Sequence, residues 1–178
     1  MKNQHLHICL FKPEIPQNTG NIARLAAATQ CRLHLIQPFG FKADDKNLLR
    51  PGLDYWPYLD LEIHSDFEAF KSLFDSKRVA FLSARSSVSY TQIPLSVDVL
   101  VFGQETAGLP ANIHSTYKQQ MYNIPIFHKN VRSLNIANAT SIVVYQQLLK
   151  KSLVSSLKAQ EVKDGSFSGP ISQKPVAF

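Results

Sequence analysis

Phe102-Gly103-Gln104-Glu105-Thr106-Ala107-Gly108-Leu109-Pro110 follows directly on the apolar run Val99-Leu100-Val101-Phe102. A short uninterrupted apolar run ended by glycine has the look of a strand buried on both faces of a parallel sheet. The polar, glycine-bearing stretch after it is then a loop at the strand's carboxyl end. Two other segments share this build. Asn18-Thr19-Gly20-Asn21-Ile22-Ala23-Arg24 comes after the alternating run Leu6 to Phe11, and Val131-Arg132-Ser133-Leu134-Asn135-Ile136-Ala137-Asn138-Ala139 comes after Met121 to Ile126. In parallel α/β sheets, ligands bind at the carboxyl ends of strands, where helix N-termini offer free amides. Three such loops are able to converge on one site.

Outward from these loops, strands and helices alternate. Ile22, Leu25, Ala26 and Thr29 recur at helical spacing, with Asn18 or Thr19 available as the cap. Arg32 to Ile36 reads as a second strand and Leu59 to Ile63 as a weak one. Asp44-Asp45 could start a short helix that ends before Pro51-Gly52. Ser65-Asp66-Phe67-Glu68 fits a capping box, and Phe67, Phe70 and Phe74 then mark one helix face. Val79 to Leu82 is another buried-type strand, and Ile136 to Val154 is the longest helical stretch. The expected class is α/β, a mainly parallel sheet flanked by helices. One domain is expected over residues 1–157, followed by a Lys-, Gly-, Ser- and Pro-rich tail over 158–178 that reads as disordered.

Composition sets the outer limits. The chain has 178 residues, 44% of them apolar and 18% charged, which is the balance of a soluble globular domain. No apolar run approaches the roughly 18 residues of a membrane span. The polar start Met1-Lys2-Asn3-Gln4-His5 lacks a signal-peptide core, so a cytoplasmic protein with no membrane contact is expected. Cys9 and Cys31 lie in apolar segments as core filler. The six histidines show no metal-type spacing, so no metal is expected, and His34 reads as a packed structural histidine.

The formal charge of +6 is unevenly placed. Residues 1–117 carry 11 basic and 11 acidic side chains, so the whole excess falls in 118–178. On charge alone this is either a nucleic-acid surface or a solvated basic tail. No G-x-G-x-x-G follows a strand, and there is no P-loop, H-E-x-x-H or G-x-S-x-G.

Taken singly, each loop has a plain structural reading: Asn18 as a helix cap, Gly103 and Gly108 as turn residues, Ser133 and Asn135 as caps of the last helix. Together, in this order, they resemble the three motifs of the SPOUT superfamily of RNA methyltransferases. The similarity is to the short TrmL-type subgroup that 2′-O-methylates the tRNA wobble nucleotide. Pro13-Glu14-Ile15-Pro16-Gln17-Asn18-Thr19-Gly20-Asn21-Ile22-Ala23-Arg24 looks like the first motif. Residues 102–110 look like the second, and residues 132–139, running into Val144-Tyr145, look like the third. The resemblance covers about residues 5–150. Gln17 and Gln146 depart from it, where a second proline and a glutamate are common.

The resemblance implies a fold whose C-terminal part forms a deep trefoil knot, a property no composition or periodicity reveals. It implies S-adenosylmethionine as cofactor, with contacts falling on Leu82, Gly103, Ile124 and Ser133. It implies methyl transfer to a ribose 2′-hydroxyl at tRNA position 34, a cytidine or modified uridine. Arg24 would be the catalytic residue, with Asn18, Glu105, Ser133 and Asn135 as the other polar groups of the site. Tyr145 would pack either on the cofactor or target or in the core. A homodimer is expected, because family members of this size dimerise. The first strand begins near residue 5, which leaves no room ahead of it for an added RNA-binding domain. The alternatives are a 2′-O-methyltransferase for another tRNA or rRNA position, and a non-catalytic RNA-binding module.

Overall fold

Five short apolar runs and one two-residue strand line up in register to form the centre of the molecule. The computed structural model describes residues 6–42 and 53–162. Its strands are β1 (His7–Phe11), β2 (Arg32–Ile36), β3 (Leu61–His64), β4 (Val79–Leu82), β5 (Val99–Phe102) and β6 (Met121–Tyr122). Every pairing is parallel, and the order across the sheet is β3-β2-β1-β5-β4-β6. The order reverses between β1 and β5, so the carboxyl ends of these two strands flank a crevice.

Strand pleating sends alternate residues to opposite faces. Ile8, Leu10, Leu33, Leu35, Leu100 and Phe102 point to one face, where they pack with Ile22, Ala26, Val143 and Val144. These last four belong to the helices α1 (Pro16–Thr29) and α4 (Ile136–Val162). Cys9, Phe11, Ile36, Phe81, Val99 and Val101 point to the other face. There they meet Phe70 and Ile113 from α2 (Phe67–Lys71) and α3 (Ala111–Thr116). Both cysteines are buried and unbridged.

Several expectations shift in detail. The first helix starts at Pro16, not after Asn18, because proline at the first helical position lacks only an amide that would go unused there. The capping residue is therefore Ile15, and Asn18 lies inside the first turn with its side chain released for other contacts. Asp66, not Ser65, caps α2 by accepting from the Ala69 amide. The strand after Met121 is only two residues long, because the chain leaves the sheet for a loop that ends at α4. The last helix continues past Val154 and past the expected boundary at 157, to Val162. The expected short helix near Asp44-Asp45, and the tail from residue 163 onward, lie outside the described residues. Among the described residues no helix is long and apolar enough to cross a membrane.

Part of the C-terminal basic excess serves the fold. Lys150 donates to the carbonyls of Thr91 and Ile93. Lys151 pairs with the buried Asp98 at 2.6 Å, and Arg78 pairs with the same carboxylate. Gln147, fully buried, donates to the carbonyls of Pro94 and Val97. These bonds fasten α4 to the base of the sheet.

Three histidines on β1, β2 and β3 meet across the strands. His7 Nδ1 lies 2.9 Å from His34 Nε2, and His34 Nδ1 lies 2.9 Å from His64 Nε2. Ring centroids are 5.1 Å apart in both pairs, with 31° and 22° between planes. Such spacing places the rings end to end, with each nitrogen aimed at its neighbour. That is the geometry of an N–H···N chain. His34, Glu62 and His64 bring three potential ligand atoms within 4.8 Å of one another, yet His34 Nδ1 and His64 Nε2 point at each other as a hydrogen-bonded pair rather than at a common point. Sequence spacing gave no sign of this cluster, because its members come from three separate strands.

Burial, then the nearby His7, His64 and Arg32, lower the pKa of His34 from 6.5 to about 3. His34 is thus neutral when folded but protonates near 6.5 when unfolded. Its contribution to stability is complete above pH 6.5 and is lost as the pH falls toward 3, at about 1.4 kcal/mol per pH unit. Urea denaturation at pH 7.5 and 5.5 is expected to show this loss. His34→Gln, which keeps a donor and an acceptor but does not titrate, should have a shallower pH dependence.

Candidate active site

α1 begins with a residue that has no side-chain acceptor, and the missing acceptor arrives from another loop. Glu105, in the loop after β5, accepts from the amides of Glu14 (2.9 Å) and Ile15 (3.3 Å) and from Asn18 Nδ2 (3.2 Å). Glu14 returns the contact. Its carboxylate accepts from the Thr106 amide at 2.9 Å and from the Thr106 hydroxyl. Asn18 Oδ1 in turn accepts from Asn135 Nδ2 at 3.0 Å. Asn135 also caps α4, its Oδ1 accepting from the Ala137 amide at 2.9 Å. The three motif segments are thus joined in one continuous hydrogen-bonded chain. Asn135 is thus both the cap of α4 and the link from α4 to α1.

The loop after β5 is itself closed. Gln104 and Gly108 exchange backbone hydrogen bonds at 3.1 and 3.0 Å. Gly108 has φ +70°, a conformation that favours glycine. At Gly103 a Cβ would lie 2.4 Å from the Gly108 carbonyl carbon and 2.5 Å from the Leu109 nitrogen. A side chain there would thus strike the far arm of its own loop.

These loops enclose a cavity of about 730 Å³, within the usual range for small-molecule sites. Leu82, Gly103, Ile124 and Ser133 all line it, as do Asn18, Glu105 and Asn135. The walls come from the carboxyl ends of β1, β4, β5 and β6, at the reversal of strand order. Glu105 is the one acidic side chain among the lining residues, and its charge is met by three donors. Arg85, Arg132 and His114 also line the cavity, with His114 Nε2 3.4 Å from the Ser83 hydroxyl. The lining therefore carries a surplus of positive charge. Arg85 and His114 come from segments that carry no motif.

Arg24 is placed differently. It does not line the cavity. Six residues along α1 carry it about 9 Å past Asn18 and roughly 120° around the helix. Its guanidinium lies 5.1 Å from the ring centroid of Tyr55, whose hydroxyl donates to the Gly20 carbonyl. Helical rotation thus places Arg24 and Asn18 on different sides of α1. Tyr145 is 51% exposed on α4, so it is neither in the core nor in the cavity wall.

The family model for the SpoU rRNA methylase family matches residues 5–145. The chain belongs to the SpoU rRNA methylase family. Among relatives, the tRNA (cytidine(34)-2'-O)-methyltransferase of Yersinia pestis is 47% identical over 152 residues, covering 79% of this chain and 91% of that protein. A solved structure described as "Structural insights into the 2-OH methylation of C/U34 on tRNA" superposes with a TM-score of 0.73 at 40% identity, covering 82% of this chain and 96% of that one. The SpoU methyltransferase AviRb from Streptomyces viridochromogenes, in complex with the cofactor AdoMet, has a TM-score of 0.72 over 85% of this chain and 59% of that one. At 20% identity this last likeness is one of fold.

Glu105→Ala would leave two backbone amides and the Asn18 amide without their acceptor. A loss of about 1–3 kcal/mol is expected, or several degrees in a thermal melt for a chain of this size. Glu105→Gln retains one acceptor oxygen and should lose less.

Proposed function

We propose that the protein transfers a methyl group from S-adenosylmethionine to the ribose 2′-hydroxyl of the wobble nucleotide, position 34, of tRNA. The reading is carried by one observation: the 47% identity to the Yersinia pestis enzyme extends over 91% of that enzyme's length. The cavity supports it, since all three motif segments build its walls.

The lining suits the cofactor. Leu82, Ile124 and Ile136 offer apolar contact to a purine, and the turns at Gly103 and Ser133 bring backbone groups to the rim. When bound, the cofactor supplies an electrophilic methyl group on a sulfonium. Glu105, tied to three donors, is spent on holding α1 and is not the proton acceptor. Ser133 and Asn135 are exposed at the mouth, where the ribose hydroxyl would enter. Arg132 and Arg85 supply positive charge toward the RNA backbone. Arg24, on the outer side of α1, is assigned to a phosphate of the bound RNA and acts from outside the cavity.

The catalytic unit is assigned to residues 1–157, with 158–178 as a basic tail whose first residues, to Val162, continue α4. The trefoil knot belongs to this reading as well. It is supported by the cavity lining, where the segment after β6, at Ile124, Ile126 and Arg132 to Asn135, comes back beside the loop after β5 before α4 begins. The site of action is the cytoplasm, where tRNA is modified.

A homodimer is part of the same reading. Ile142, Tyr145, Leu149 and Leu153 recur every three or four residues along α4 and are 38–64% exposed. A stripe at that spacing forms one helix face with nothing from the described chain upon it. Light scattering at micromolar concentration should give twice the chain mass, and Leu149→Glu should give a monomer.

Mass spectrometry of nucleosides from tRNA incubated with the protein and S-adenosylmethionine is expected to show a 2′-O-methylated wobble nucleotide. Absence of that product would overturn the function. Arg24→Ala should lower transfer by about two orders of magnitude, the scale of losing a charge-stabilising donor, with cofactor affinity by calorimetry nearly unchanged. Arg24→Lys should rescue poorly, because an ammonium lacks the planar fork. Gly103→Val should abolish cofactor binding by displacing the Gly108–Leu109 arm rather than by occupying the cavity.

A further inference from the structure

Phe127 is 99% exposed, while every other phenylalanine among the described residues is buried or half-buried. Leaving a whole phenylalanine in water forgoes roughly 2–3 kcal/mol of burial. Its position is specific. The segment that carries it lines the cavity before it, at Ile124 and Ile126, and again after it, from Arg132 to Asn135. Phe127 therefore stands on the rim between two stretches of cavity wall.

The chain beside it is braced. The Val131 amide donates to the His128 carbonyl at 3.1 Å, and the Asn130 amide donates to His128 Nδ1 at 3.3 Å. Pro125, two residues earlier, restricts the chain on the other side. The ring is thus held out by a closed turn. His128, Lys129 and Arg132 follow it within five residues, all exposed, and no acidic residue occurs between Glu105 and Glu161 in sequence. An exposed aromatic face on a segment that carries a lysine and an arginine, next to a cavity, matches one ligand chemistry: an unpaired nucleobase with its flanking phosphates.

We propose that Phe127 is a stacking platform for an unpaired base of the RNA segment whose ribose enters the cavity, with His128, Lys129 and Arg132 holding its phosphates. The proposal rests on the RNA methyltransferase reading above and adds the residue that orients the substrate. Stacking is indifferent to base identity, so the platform fixes the position of the strand while leaving the choice of nucleotide to other contacts. Phe127 is a substrate-binding residue and takes no part in proton or methyl transfer.

Two measurements test it. Base–aromatic stacking contributes about 1–3 kcal/mol per base, so Phe127→Ala should raise the KM for tRNA by roughly 5- to 150-fold with kcat nearly unchanged. Phe127→Tyr should recover most of this, and Phe127→Leu, apolar but without a π face, should not. If Phe127→Leu equals the wild type, or if Phe127→Ala instead dissociates a dimer in light scattering, the platform is refuted. In the second case the ring is covered by a second copy of the chain.

The other measurement does not depend on methyl transfer. The chain has a single tryptophan, Trp56, so Phe127→Trp in a Trp56→Phe background places one indole on the rim. A synthetic tRNA anticodon stem-loop should quench its fluorescence, and an RNA duplex of equal length should not. Quenching without any wobble methylation by the wild type would leave the platform standing and remove the proposed reaction. Methylation without quenching would do the reverse.

Discussion

The Glu105 carboxylate is the contact on which the site depends. α1 opens with Ile15 and Pro16, which leave the helix entry without an acceptor of its own. Glu105 fills that role from the loop after β5, and Asn18 extends the link to Asn135 at the start of α4. Charge-assisted bonds to backbone amides are stronger than neutral ones and are oriented by the amides themselves. Loops that are far apart in sequence are thereby held at fixed separation around one cavity.

The sheet supplies the platform for this arrangement. Six parallel strands with apolar side chains on both faces place all their carboxyl ends along one edge. The reversal of order between β1 and β5 opens the crevice at that edge. Anchoring of α4 by Gln147, Lys150 and Lys151 settles where the third loop must end. Basic residues that look like polyanion binders by count are in this case partly structural, while Arg85 and Arg132 line the cavity.

Electrostatics divides the chemistry between inside and outside. The cavity wall combines apolar surface with two arginines and a glutamate held by three amide donors. Arg24 lies beyond it, with its guanidinium in cation–π contact with Tyr55. This suits a charge that meets the RNA backbone rather than the cofactor.

Local pattern alone determined much of this protein. The strands Val79–Leu82 and Val99–Phe102 were legible because buried parallel strands need unbroken apolar runs, and the α/β class followed from alternation. The three loops were legible as one site through their order and their resemblance to a known set of motifs. The tertiary structure alone decided how those loops are used. Asn18 reads as a cap, yet proline at the first helical position moves the helix start and frees its amide for Glu105 and Asn135. The His7–His34–His64 chain depends on strand register across three elements, which spacing along the chain does not encode. Arg85 and His114 reach the cavity from segments without motifs, because only the packing of β4 and α3 brings them there. Arg24, in the first motif by sequence, lies outside the cavity because helical rotation carries it to another face.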